Sequence, residues 1–318
     1  MPAAAAGLYW QVQRRRNRGL LGLALVVLAF LVLYVIQFPG LLSIGGISKF
    51  TQNWFPLALV TMAQVILMLT GGISLAIGPL VSLGAVIAAT TMTGPVGVVG
   101  GLVAVGATGL AVGAAFGAIV SLVRLPAIIV TLAGSFILAG IALLILERPG
   151  GAMPVWLSDL LAGNSPTALG LLILVLVGWK LYLKTPWGLG LYAAGENPVA
   201  AYRAGVPVHQ VKIAAYALSG LLTALAGLFV AAQTGSGDPV IGTPFTLNSI
   251  AAAVLGGAGF LGGTGTMRGA LLGSILLSVM INVMFFLGFP PVAQYIAQGI
   301  IIVGAVALPQ LGRLWKRP

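Results

Sequence analysis

The run Gly19-Leu-Leu-Gly-Leu-Ala-Leu-Val-Val-Leu-Ala-Phe-Leu-Val-Leu-Tyr-Val-Ile-Gln-Phe38 carries no charge, and Arg14, Arg15, Arg16 and Arg18 stand directly before it. About 20 helical residues at ~1.5 Å each cross a hydrocarbon core of about 30 Å. A cleaved secretory signal would have a shorter apolar centre, of about 7–15 residues, and a small-x-small site after it. Gln37-Phe38-Pro39-Gly40 follows instead, so the stretch predicts a retained first membrane span. The rest of the chain repeats the pattern. Further apolar segments run at about 54–70, 74–92, 97–121, 127–146, 166–183, 213–232, 245–261, 269–287 and 292–308. The sequence therefore predicts an all-α, polytopic membrane bundle of about ten transmembrane helices with cytoplasmic N- and C-termini. Two places are irregular. Thr70-Gly71-Gly72-Ile73-Ser74 is a tight uncharged connection compatible with a position inside the membrane, and the 245–261 segment is short and ends in glycines.

Composition agrees. Of 318 residues 59% are hydrophobic and 6% charged, with a mean hydropathy of +1.13. A soluble domain has about 25% charged residues, so a water-facing surface of this size is excluded, as is disorder, which requires few hydrophobics. The net charge of +11 would suggest nucleic acid in a soluble protein. Here its placement describes topology. With ten spans, Arg14, Arg15, Arg16, Arg18, Arg124, Lys180, Lys184, Arg203, Lys212, Arg268, Arg313, Lys316 and Arg317 fall inside, and only Lys49 and Arg148 outside. That is the positive-inside pattern. Merging 54–92 into one span would invert everything downstream and destroy the bias. Trp10, Trp54, Trp156, Trp179, Trp187 and Trp315 all lie at or near span ends, where amphipathic rings meet the headgroups.

The chemical inventory is short. There is no cysteine, His209 is the sole histidine, and the four acids Glu147, Asp159, Glu196 and Asp238 all fall in predicted loops. A zinc site of the usual kind cannot be built from these, and no phosphate-binding GxxxxGK[ST] loop is present. The lack of a mid-membrane acid weakens proton or sodium coupling. It also argues against an intramembrane enzyme. Gly109, Gly113 and Gly117 recur every four residues, as do Gly269 and Gly273; this is the smooth face of a closely packed helix. Ser274, Ser278 and Asn282 share one helix face at i, i+4 and i+8, and Thr61, Gln64 and Met68 do much the same in the second span. Such faces fit either a path for a polyhydroxylated solute or interhelical hydrogen bonds.

The loop 184–212 is the most informative segment. Asn197 suits an N-cap, Pro198 the first helical position and Gly205 a helix stop, predicting a short helix over about 198–204. A two-turn helix is not stable alone in water, so it docks on something; the alternative is a solvated basic loop.

Here the chain resembles a known family. The stretch Gly195-Glu-Asn-Pro-Val-Ala-Ala-Tyr-Arg-Ala-Gly-Val-Pro-Val-His-Gln-Val-Lys212 and its continuation Ala217-Leu-Ser-Gly-Leu-Leu-Thr-Ala-Leu-Ala-Gly-Leu228 resemble the cytoplasmic loop region of ABC-type sugar permeases of the ribose/xylose/galactose group. So do Leu69-Thr-Gly-Gly-Ile-Ser-Leu-Ala-Ile-Gly78, Leu125-Pro-Ala-Ile-Ile-Val-Thr-Leu-Ala-Gly134, Ile250-Ala-Ala-Ala-Val-Leu-Gly-Gly257, Leu261-Gly-Gly-Thr-Gly265 and Gly269-Ala-Leu-Leu-Gly273. The similarity covers roughly 50–308.

The resemblance implies a pore-forming importer subunit in a bacterial cytoplasmic (inner) membrane. Its partners would be two ATP-binding-cassette subunits, a second permease copy or paralogue, and a periplasmic or lipoprotein solute-binding protein. This chain would bind no cofactor of its own, ATP and Mg residing on the ATPase. Residues 1–18 would form a basic cytoplasmic segment, 19–308 one permease domain, and 309–318 a basic tail. Gly195, Glu196, Asn197, Pro198, Ala200, Ala201, Arg203 and Gly205 would couple to the ATPase, and Gln64, Ser74, Asn248, Ser274, Ser278 and Asn282 are the candidate solute path. Where the family commonly carries acids, this chain has Ser74, Thr246 and Asn248, which leaves the solute open. Branched-chain amino-acid or nucleoside permeases are the nearest alternatives, and a standalone channel or secondary transporter a more distant one.

Overall fold

The computed structural model describes residues 21–36, 38–163 and 167–290, together with 292–293, 296 and 299–300. The expected basic segment 1–18, the tail 309–318 and most of the predicted last span lie outside these. Twelve helices are named: α1 (Leu21–Ile36), α2 (Ile44–Leu69), α3 (Ile77–Thr91), α4 (Gly97–Ala118, continued by a π-helical turn Ile119–Val123), α5 (Ala127–Ile145), α6 (Val155–Ala162), α7 (Thr167–Leu183), α8 (Pro186–Glu196), α9 (Pro198–Arg203), α10 (Val208–Thr234), α11 (Thr243–Leu255) and α12 (Met267–Phe286).

Among the described residues, the predicted apolar segments become five helices long and apolar enough to cross a membrane, namely α2, α4, α5, α10 and α12, or six if α6 and α7 form one bent span. The helices α1, α3 and α11 are apolar but shorter. At ~1.5 Å per residue, α3 and α11 reach only about 20 Å, which is less than a full crossing.

The connections divide into two sets. Gly150 pairs with Gly237 in an antiparallel bridge, the amide of Ala152 donates to the Ala89 carbonyl, and Gln52 lies against both Gly163 and Gln233. At the opposite ends, the Gly263 amide donates to the Leu69 carbonyl at 3.0 Å, Gly195 packs on Leu69, and Ser121 meets His209. So α2 runs from the first side to the second, and α3 runs back toward the first. Arg124, Lys184, Arg203, Lys212 and Arg268 belong to the second side, Lys49 and Arg148 to the first.

The core is built around α2 and α10, with α3, α4, α11 and α12 packed on them. Close approach comes from the glycine faces. A Cβ added to Gly109 would lie 2.6 Å from the Gly220 carbonyl oxygen, and one on Gly117 would lie 2.8 Å from the Ile213 Cα; Gly113 meets the Tyr216 carbonyl. Gly269 and Gly273 pack in the same way on Gly256 and Ala252. In a bilayer, where apolar surface gains little by leaving lipid, this backbone-to-backbone packing is what holds helices together.

Helix α2 also contains Pro56. Proline has no N–H, so the carbonyl four residues earlier, that of Gln52, loses its helical donor. The Gln233 side-chain amide on α10 donates to that carbonyl at 2.7 Å. A neighbouring helix thus replaces the bond that the proline removes.

Candidate functional site

Two regions carry the features expected of a transport protein. The first is a pair of half-helices. After Leu69 the chain leaves the helix through Gly71 (φ +78) and does not resume until Ile77. Backbone groups exposed by this break need partners, since hydrocarbon supplies none. The Leu75 amide donates to Thr131 Oγ1 on α5 (3.1 Å), the Ala76 amide to Ser74 Oγ (3.2 Å), and the Gly78 amide to Thr246 Oγ1 on α11 (3.1 Å). From the other direction, the Gly242 amide at the start of α11 donates to Ser82 Oγ on α3 (2.9 Å). The segment before α11 runs back along α3, from Gly237 against Ala89 to Gly242 against Gly78. Helix α11 then continues away, ending with Gly256 against Gly269. The N-termini of α3 and α11 therefore meet head to head inside the bundle. Each carries the partial positive charge of a helix start, and discontinuous helices of this kind form solute sites in many transporters.

Of the predicted path residues, Ser74 and Asn248 lie at this meeting point, both buried. Gln64 lies on α2, fully buried, with neither amide atom hydrogen-bonded. Ser274 is buried too, but it accepts from Trp54 Nε1 (2.8 Å) and donates to the Leu271 carbonyl (2.9 Å), so its hydroxyl is engaged in an interhelical bond. Ser278 is buried and Asn282 half-buried further along α12. The structure thus puts Ser74 and Asn248 by the half-helix junction, Ser274, Ser278 and Asn282 on α12, and Gln64 apart from both on α2.

The second region is the loop 184–212. It folds as two short helices. The predicted one is α9, where Asn197 Oδ1 accepts from the Ala200 amide (3.0 Å), Pro198 opens the helix, and Gly205 (φ +85) ends it. The Gly205 and Val206 amides close the last turn on the Tyr202 and Ala201 carbonyls, each at 3.0 Å. Only Ala201 points inward; Glu196 to Ala200 and Tyr202 to Gly205 are exposed, with Val199 at 62% and Tyr202 at 68%. The other helix, α8, was not anticipated, although Thr185-Pro186 carries the same cap-plus-proline signal: Thr185 Oγ1 accepts from the Gly188 amide (3.2 Å).

Gly195, in the last turn of α8, forms a three-way backbone junction. A Cβ there would meet the Leu69 carbonyl and lie 2.7 Å from the Gly263 amide, while one on Gly262 would lie 2.6 Å from the Gly195 carbonyl. The end of α2, the α8–α9 turn and the loop between α11 and α12 are thereby locked together. Beside α9 opens a groove of about 800 Å³, lined among others by Pro198, Val199, Tyr202, Lys212 and, from the α4–α5 corner, Arg124. At that corner Arg124 is left-handed (φ +62), and Ser121 Oγ lies 2.8 Å from His209 Nδ1. Nothing in the sequence linked 119–126 to the 184–212 loop, because their proximity is a tertiary fact.

The family model described as branched-chain amino acid transport system / permease component matches residues 46–306. The chain belongs to this permease family. The permease is 31% identical over 290 residues to the ribose import permease protein of Escherichia coli (strain K12), covering 84% of this chain and 86% of that protein. It is 32% identical over 319 residues to the galactose/methyl galactoside import permease protein of the same strain, covering 91% and 94%. To the L-arabinose ABC transporter permease protein of Azospirillum brasilense it is 29% identical over 330 residues, covering 99% and 93%. No solved structure matches the permease. Both candidate regions and the glycine faces fall within the matched residues.

Proposed function

We propose that the permease is the membrane subunit of an ATP-binding-cassette importer for a sugar or sugar-like solute, in a bacterial cytoplasmic membrane. The sugar class rests on the names of the similar permeases; the family title keeps branched-chain amino acids as the second reading. The observation that carries the coupling role is α9: a capped, proline-started helix, exposed on nearly every side, on the face that holds most of the basic residues. Two ATPase subunits dock there, binding ATP and Mg themselves, while a solute-binding protein delivers cargo to the opposite face and a second permease completes the pore.

The mechanism follows from rigid contacts. Closure of the ATPase pair pushes on Glu196–Gly205. Gly195 passes that movement without slack to Leu69 and Gly263, because no side chain intervenes between the three backbones. Leu69 leads into the break before α3, and Gly263 lies in the loop that ends α11. A push at α9 therefore reaches both half-helices, whose N-termini meet beside Ser74 and Asn248. Their partial positive ends and neutral hydrogen-bonding side chains suit hydroxyl-rich solutes. Alternating access needs no catalytic residue in this chain.

Co-purification with an ATPase subunit tests the coupling role. Replacing residues 196–205 with a Gly/Ser linker abolishes the complex while the permease remains inserted. A complex that survives this replacement would refute the assignment of α9.

A further inference from the structure

Beside the N-terminus of α3 lies a small pocket of about 20 Å³, lined by Ser74, Ala76, Phe116, Tyr216, Ser219 and Thr223 among others. One water needs about 10–15 Å³ of such space and 2–4 polar partners. Four of these residues carry hydroxyls. Tyr216 is 3% exposed, and its Oη has no hydrogen-bond partner. That oxygen lies against Gly72, where a Cβ would come within 2.5 Å of it; Leu67 and Ser74, on either side of Gly72 in the chain, both line the cavity. Ser74 Oγ accepts from the Ala76 amide, which leaves its O–H to donate. Thr223 Oγ1 donates to the Ser219 carbonyl (2.8 Å), which leaves its lone pairs to accept. The Tyr216 hydroxyl is itself buried, with no surface open to bulk solvent.

We infer that this cavity holds one ordered water, which accepts from Tyr216 and Ser74 and donates toward Thr223. The ligand is water rather than a solute hydroxyl because the volume admits nothing larger. Its role is to partner the buried Tyr216 hydroxyl and tie it to Ser74 in the α2–α3 break and to Thr223 on α10. Glycine at 72 leaves room for the tyrosine.

Tyr216→Phe separates a hydrated site from a dry one. In the full permease in lipid nanodiscs, loss of a water-bonded hydroxyl lowers the thermal unfolding midpoint, by about 2–4 °C. A dry cavity gives the reverse, because removing an unpaired buried hydroxyl is stabilising; an unchanged or raised midpoint overturns the inference. The second measurement needs no variant. An experimental map of the wild-type permease that resolves other buried waters shows a peak within hydrogen-bonding distance of Tyr216 Oη. Its absence overturns the inference, even if the variant fails to fold.

Discussion

The bond from Gln233 to the Gln52 carbonyl exists because Pro56 cannot supply one, and that dependence can be measured. Gln233→Leu keeps the side-chain volume and removes the donor. The Gln52 carbonyl, on a buried residue, is then left without a partner, at a cost of about 1–3 kcal/mol. Pro56→Ala restores the N–H that belongs in the helix and removes an interior proline, which is disfavoured by about 3 kcal/mol in an ordinary helix; alone it is neutral or stabilising. In that background the carbonyl has its helical donor again, and Gln233→Leu costs less than about 0.5 kcal/mol. The double-mutant cycle therefore carries a coupling of roughly 1–2 kcal/mol. Reversible unfolding of the four proteins in mixed micelles reads it. Equal cost of Gln233→Leu with and without Pro56 would refute the compensation and leave the α2–α10 contact as ordinary packing.

Asn197→Ala removes the α9 cap, worth about 1 kcal/mol, or a factor of about five in the helix equilibrium. ATPase affinity, read by titration into nanodiscs, falls up to about fivefold and is restored by Asn197→Ser, while the permease's own unfolding midpoint stays put. Gly113→Val pushes a side chain into the Tyr216 carbonyl and Ala217 Cα and destabilises by about 1–3 kcal/mol or more; Gly140→Val, with nothing within 4 Å of its added Cβ, is close to neutral in the same unfolding assay. Gln64→Leu deletes a buried, unpaired amide, so stability rises by about 1–3 kcal/mol while solute uptake falls. Unchanged uptake would remove Gln64 from the path.

Much of this was legible in sequence. Helical caps are local, so Asn197-Pro198 and Gly205 announced α9, and Thr185-Pro186 would have announced α8 to the same rule. The glycine spacing predicted close packing, and Gly109, Gly113 and Gly117 indeed meet α10. Charge placement separated α2 from α3. Hydropathy was less informative about length: α2 begins at Ile44, well before the apolar segment at 54–70, because Lys49, Gln52 and Asn53 hide its first turns from an apolar count. It also could not distinguish full spans from half-spans, since α3 and α11 are as apolar as their longer neighbours. The hydrogen bonds that make half-spans possible, from Leu75, Gly78 and Gly242 to Thr131, Thr246 and Ser82, join residues far apart in the chain. For the same reason the bond between Trp54 Nε1 and the Ser274 hydroxyl was not visible in the sequence.

Solute uptake into proteoliposomes tests the central claim most directly. The permease is reconstituted with a candidate ATPase subunit inside and a solute-binding protein outside, and radiolabelled ribose, arabinose or galactose is followed. Accumulation of one of these against its gradient, only with ATP and binding protein both present and abolished by the 196–205 linker, is the predicted result. Uptake by the permease alone, without ATPase or ATP, would contradict the account.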